Sequence, residues 1–188
     1  MSRSRVKFNA FALVTATVLV IASVGCNPGS ITAPDSAPNG VVVTNPDFVR
    51  ILPSSTNSKS GGSVAVATAP MASRVISAAD GGMISNGRVT LFFPAGALDA
   101  DTEISMQMMS DGTLGVNFEP HGIQFHKPVI MQMDLRGTTA EGQAASTSTV
   151  WDNVDAHRYE RMPSLIPVDE NTSRSELRHF SEYMGVGG

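Results

Sequence analysis

The chain has 188 residues, of which 41% are hydrophobic and 16% are charged, and its formal net charge is −4. This length suits one domain with appendages, because a single core usually takes roughly 100–200 residues. A mildly acidic balance without a clustered basic face disfavours nucleic acid as a partner. The single cysteine excludes an internal disulfide and any multi-cysteine metal site.

Residues 1–25 have the pattern of a bacterial signal peptide. Arg3, Arg5 and Lys7 precede an uncharged, largely apolar run from Ala10 to Val24. A membrane-spanning helix needs about 20 consecutive apolar residues, so this shorter run suits a cleaved signal peptide better. Cleavage would also remove three basic side chains and leave a chain that is more acidic than the whole.

Small residues and the cysteine close this segment, since Ala22-Ser23-Val24-Gly25 stands immediately before Cys26. The arrangement resembles the lipobox of bacterial lipoproteins, although Ser23 replaces the usual Leu or Val. The resemblance implies that Cys26 carries palmitate-type acyl chains, whose burial stabilises a membrane anchor by about 0.8 kcal/mol per CH₂. Asn27 in place of Asp implies the outer membrane of a two-membrane envelope, facing the periplasm or the surface. An uncleaved anchor and an ordinary signal peptide are the alternatives.

Residues 26–72 have the composition of a flexible tether. Pro, Gly, Ser and Asn dominate 27–40 and 53–62, and such segments bury too little apolar surface to offset the entropy of ordering. Two short apolar islands, Val41 to Thr44 and Phe48 to Leu52, interrupt this composition. We assign them to the tether, with docking as an edge strand as the alternative.

From Ser73 onward the hydrophobic pattern predicts an all-β domain. Apolar residues recur at every second position in several short runs, and Gly- and Asn-rich turns separate these runs. One apolar and one polar face is what an antiparallel sheet with one solvated side requires. We therefore predict an antiparallel β-sandwich over residues 73–188. The alternating runs contain Val89, Leu91 and Phe93; Ile104, Met106 and Met108; and Val129, Met131, Met133 and Leu135.

Three short motifs in this region share their order and spacing with a known domain family. They are Pro94-Ala95-Gly96-Ala97-Leu98, the run from Pro120 to Val129, and the run from His179 to Tyr183. Together they resemble the ZU-five domain, a β-sandwich found in zona-occludens proteins, netrin receptors, ankyrins and the death-domain protein PIDD. The match covers about residues 80–135 and 175–186, and it implies a β-sandwich interaction module.

Elementary backbone chemistry gives each motif a structural role as well. Gly96 permits a sharp turn after the strand that contains Val89, and Pro120 and Gly122 would form a tight corner. Pro128 is expected to begin the next strand, where no ladder donor is needed.

The tripeptide His179-Phe180-Ser181 is the most specific candidate for a catalytic site. Some ZU-five relatives cleave themselves between the Phe and the Ser of this motif. Residues two apart in a strand project from the same face, so His179 could act as general base toward Ser181. The Ser181 hydroxyl would then attack the Phe180 carbonyl in an N→O acyl shift. The alternative is that Phe180 is a core residue and its neighbours line a partly polar face.

Metal sites receive less support from the sequence. Methionine thioethers could hold copper, but the alternating methionines fit core positions better. The four histidines show no ligand spacing. The segment with Asp99, Asp101 and Glu103 fails the EF-hand template, because Ile104 stands where glycine is required.

We therefore expect a lipid-anchored envelope protein whose non-catalytic β-sandwich binds an unidentified protein partner, without a cofactor or a metal. Self-cleavage before Ser181 is the alternative function. A metal- or small-ligand-binding protein ranks third.

Overall fold

The computed structural model describes residues 41–53 and 71–188, and all regular elements in this part of the chain are β-strands. They are β1 (Val41–Val43), β2 (Met71–Ile76), β3 (Gly82–Ser85), β4 (Val89–Phe93), β5 (Thr102–Met108), β6 (Gly115–Glu119), β7 (Gln124–Asp134), β8 (Ser148–Asn153), β9 (Arg158–Arg161), β10 (Ser164–Asp169), β11 (Thr172–His179) and β12 (Glu182–Val186). The predicted signal peptide, Cys26 and most of the predicted tether lie outside the described residues.

The strands form two antiparallel sheets that enclose one main core. The seven-stranded sheet has the order β1-β9-β8-β12-β6-β5-β2, and the five-stranded sheet has the order β10-β11-β7-β4-β3. The predicted antiparallel β-sandwich is therefore confirmed. The described residues hold no helix long and apolar enough to cross a membrane.

The alternating apolar positions face the core, as the period of two predicts. Met106, Met108, Met131 and Met133 are each no more than 3% exposed. Flexible thioether side chains fill irregular gaps between sheets, which accounts for methionine at these four core positions. The other buried apolar residues of β4, β5 and β7 are Val89, Leu91, Phe93, Ile104, Phe125 and Val129.

The prediction that Pro128 begins a strand is wrong, since β7 runs from Gln124 to Asp134 and contains it. Proline is tolerated there because neither neighbouring strand pairs with it. Pairing with β4 ends at Ile130, and the register with β11 shifts between Leu177 and His179. Pro128 therefore lies in a bulge, where the ladder needs no donor.

Residues 41–53 pack on the sandwich, in agreement with the edge-strand alternative rather than with the assigned tether. β1 pairs with β9 at the margin of the seven-stranded sheet. Val49 is 2% exposed, and its backbone N–H donates to the Gly185 carbonyl at 2.9 Å. Phe48 meets the ring of Tyr159 edge-to-face, with 5.2 Å between the ring centres. This segment closes one end of the core, which a count of turn formers could not reveal.

Candidate functional site

The motif from His179 to Tyr183 forms one of the connections between the two sheets, and we call it the β11–β12 corner. β11 ends at His179 in the five-stranded sheet, and β12 begins at Glu182 in the seven-stranded sheet. Phe180 and Ser181 lie between the strands. The expectation that His179 and Ser181 share one strand face is therefore wrong, because the chain bends there to change sheets.

Backbone hydrogen bonds from a neighbouring turn hold the corner in place. The Phe180 N–H donates to the Ile123 carbonyl at 2.9 Å, and the Gly122 N–H donates to the Phe180 carbonyl at 3.3 Å. Gly122 has a φ of +80°, a conformation that a side chain opposes. The tight turn predicted at Pro120 and Gly122 therefore supplies the backbone hydrogen bonds that fix the β11–β12 corner.

Phe180 is the aromatic centre of the core at this corner. Its side chain is 1% exposed. Its ring centre lies 4.9 Å from that of Phe125, 5.1 Å from that of Phe118 and 6.0 Å from that of Phe93. Such aromatic contacts add about 0.5–1.5 kcal/mol per pair beyond the burial itself. The alternative of a core role for Phe180 is confirmed.

His179 is also buried, and its hydrogen bonds run to Tyr183. The Tyr183 hydroxyl donates to the His179 carbonyl at 2.8 Å, and Nδ1 of His179 lies 3.0 Å from the same hydroxyl oxygen. Because the one hydroxyl proton serves the carbonyl, Nδ1 carries a proton and donates to the Tyr183 oxygen. This tyrosine bond back to an upstream carbonyl is the tyrosine-corner device of β-sandwiches.

The imidazole of His179 is neutral at pH 7. Burial lowers its pKa from 6.5 to about 4, while the charge of Glu160 and a hydrogen bond to the Phe180 backbone act in the opposite direction. The Trp151 ring packs against the imidazole, with 4.4 Å between ring centres. Nε2 is buried and has no hydrogen-bond partner among the described residues.

The hydroxyl of Ser181 forms its hydrogen bond with a different side chain, Trp151. Its Oγ accepts a hydrogen bond from Nε1 of Trp151 at 2.8 Å. No hydrogen bond joins Ser181 to His179 in the part of the chain that the structure describes. The corner therefore brings the two predicted catalytic side chains into one region without pairing them.

A cavity of about 300 Å³ opens on the Ser181 side of the corner. Three acidic residues line it, Asp152, Asp155 and Glu182, together with His121. The pairing of Tyr183 with Trp151 places Glu182 and Asp152 opposite each other on neighbouring strands. The pKa of Glu182 is raised by burial and by the charge of Asp152, and burial alone raises the pKa of Asp152.

Sequence reasoning missed this carboxylate pair because 30 positions separate its members. The signal that was available is local: each carboxylate directly adjoins a large aromatic residue that faces the core. Because side chains alternate between the two faces of a strand, the residue next to a core-facing aromatic points to the outer face of the sheet.

The other residues considered for metal binding are dispersed. Asp99 pairs with His126 at 2.6 Å, Asp101 accepts from the Ala78 N–H, and Glu103 accepts from Ser73. The described residues contain no group of three or more His, Cys, Asp or Glu that could hold a metal ion.

Comparison with known proteins adds a negative finding. No protein-family model matches this chain, and no curated protein matches it. The class that the fold defines is an antiparallel β-sandwich domain. The resemblance to the ZU-five domain and the lipid anchoring at Cys26 remain predictions from the sequence.

Proposed function

We propose that this chain is an envelope lipoprotein, anchored through Cys26, whose β-sandwich is a non-catalytic module that binds another protein. The observation that favours this over catalysis is the hydrogen-bonding of the β11–β12 corner. Oγ of Ser181 accepts from Trp151, and the basic nitrogen of His179, Nε2, forms no hydrogen bond to Ser181 among the described residues. A base and a nucleophile that are not hydrogen-bonded to each other are not arranged for proton transfer.

The anchor is tested by expressing the full chain and its Cys26→Ser variant in a bacterial host and measuring the intact mass of each. Acylation adds the mass of the lipid to the native chain, which then fractionates with membranes. The variant is expected to lack that mass and to leave the membrane fraction. Equal masses and equal fractionation of the two chains would reject the anchor.

Self-cleavage is the second candidate, and one contact favours it. The carbonyl of Phe180, at the bond that would break, already accepts a hydrogen bond from Gly122, as an oxyanion would require. Oγ of Ser181 would bond to the Phe180 carbonyl carbon while the C–N bond breaks and the Ser181 nitrogen takes up a proton. Water would then hydrolyse the resulting ester to a free carboxylate and a hydroxyl.

Intact mass under denaturing conditions separates the two candidates. The binding module predicts one species that keeps residues 181–188 and does not change during incubation. Cleavage predicts loss of these residues in the native chain and their retention in Ser181→Ala. A time-dependent fragment that Ser181→Ala abolishes would replace the non-catalytic assignment.

A further inference from the structure

We infer that the outer face of the seven-stranded sheet is a docking surface for an extended basic segment of a partner protein. This inference rests on the proposed binding function and names its surface and partner chemistry. The residues that carry it are Glu103, Glu119, Glu182 and Asp152, which we call the acidic face.

Strand register places these four carboxylates on one side of the sheet. Ile104 and Met106 of β5 face the core, so Glu103 and Ser105 point outward. Ser105 pairs with Glu119, and Asn117 pairs with Glu182. Asp152 follows on β8, opposite Glu182.

Three of the carboxylates form a diagonal line across β5, β6 and β12, and Asp152 lies beside the end of this line on β8. Glu103 and Glu119 are diagonal neighbours, and so are Glu119 and Glu182, which puts these two steps at roughly 7–8 Å. Glu182 and Asp152 are direct cross-strand neighbours, about 5 Å apart. Side chains on one face of an extended peptide recur every two residues, at about 7 Å. A strand-like segment with lysine or arginine at every second residue therefore matches the line of carboxylates.

The acidic face has little cationic compensation of its own. Asp152, Glu182 and Glu103 form no ion pair with Lys or Arg in the described part of the chain, and Glu119 pairs only with His121 at 3.1 Å. Burial raises the pKa of Glu182, and the charge of Asp152 raises it further. A cationic partner would relieve repulsion that the free domain retains.

Three cavities along the acidic face are large enough to receive long side chains. The first, described above, contains Asp152 and Glu182; the second, of about 330 Å³, contains Gln107, Asn117 and Asp111. A third, of about 410 Å³, contains Glu103 and Glu119. None of the three is lined by Lys or Arg. Beside the second cavity, the backbone and side-chain hydrogen bonds from Thr113 lower the pKa of Asp111, and the charge of Arg50 acts in the same direction.

The test measures binding of a fluorescein-labelled peptide with lysine at every second residue, by fluorescence anisotropy. The full chain is purified in a non-ionic detergent, and a peptide with glutamate in place of lysine serves as the peptide control. The face variant combines Asp152→Asn with Glu182→Gln. Its matched control combines Glu141→Gln with Glu170→Gln, which removes the same charge from loops elsewhere in the sandwich.

We expect the lysine peptide to bind the native chain, with affinity that falls as salt is added. The face variant should bind at least about tenfold more weakly, and the matched control within about twofold of the native chain. Equal affinity of all three proteins, equal weakening of both variants, or no binding to the native chain would overturn the inference. Thermal melts of the variants verify that each is folded.

Calcium alone provides a second arm. A calcium-dependent rise in melting temperature that the face variant loses would indicate an ion site and overturn the peptide assignment. Failure of the anchor is distinguishable, because acylation of Cys26 is read by mass and peptide binding is read in solution.

Discussion

The inner and outer sides of the β11–β12 corner lie in the same short segment but have opposite environments. On the inner side, Phe180 and Tyr183 are no more than 1% exposed and pack among aromatic rings. On the outer side, Ser181 and Glu182 are half-buried and line an open cavity. A motif whose residue types suggest catalysis in the sequence can therefore use half of its side chains to form the core.

Removing the Phe180 ring from the inner side should change the free energy of unfolding the most. Phe180→Ala should lower the free energy of unfolding by about 3–5 kcal/mol, because it leaves a cavity among three rings. The matched control is Phe92→Ala, whose ring is 36% exposed and whose loss should cost about 1 kcal/mol or less. Urea unfolding followed by fluorescence of Trp151 measures both. Similar losses in the two variants would show that the corner is no better packed than the sheet surface.

The next effect is a pH dependence of stability that comes from His179. Its folded-state pKa is about 4, below the 6.5 of the unfolded chain, so the unfolded chain binds this proton more tightly. The free energy of unfolding is therefore unaffected by this group above pH 6.5. It falls by up to about 3 kcal/mol as the pH drops toward 4 and the unfolded chain takes up the proton. The side chains that face the imidazole are Trp151, Tyr183 and Glu160.

Urea unfolding at several pH values tests this dependence. His179→Gln should reduce the slope between pH 4 and 6.5, whereas Tyr159→Phe, which keeps every histidine, should leave it unchanged. If both variants keep the native slope, the buried imidazole does not control acid stability.

The hydroxyl of Tyr183 is expected to contribute less than the buried ring of Phe180. Tyr183→Phe leaves the carbonyl and Nδ1 of His179 buried without their partner, which costs about 2 kcal/mol. Tyr159→Phe is the matched control, since the Tyr159 hydroxyl forms no hydrogen bond within the described residues. Equal stability of Tyr183→Phe and the native chain would contradict the tyrosine-corner role.

The contrast between the two sides also explains how far the sequence could predict this molecule. Alternation identified the core strands, because a period of two is a local property that residues such as Leu91 and Met131 carry themselves. The bend at Phe180 and the bulge at Pro128 depend on which strands pair nearby, and that information is distributed over distant residues. The Asp152–Glu182 pair arises only from the register between β8 and β12.

A smaller effect is expected at the boundary between the two sides. Ser181→Ala removes the acceptor of the Trp151 indole N–H and should cost about 1 kcal/mol. Because Trp151 is the single tryptophan, its emission should shift when this bond is lost. Ser105→Ala, on the same sheet but without a side-chain bond in the described residues, should change neither property. An unchanged emission in Ser181→Ala would mean that Trp151 does not hold this hydroxyl in solution.

The smallest effect belongs to the outer side and has the opposite sign. The folded-state pKa of Glu182 is raised by burial and by Asp152, so its charge opposes folding at neutral pH. Glu182→Gln should therefore raise the free energy of unfolding by about 0.5 kcal/mol at pH 7, the scale of one like-charge cross-strand pair. The gain should vanish as the pH falls below the unfolded pKa of 4.5, where both forms are neutral.

Glu103→Gln, which instead loses the Ser73 hydrogen bond, should not stabilise the chain. A loss of stability in Glu182→Gln at pH 7 would show that the outer carboxylates serve the fold, as the inner side does, rather than a cationic partner.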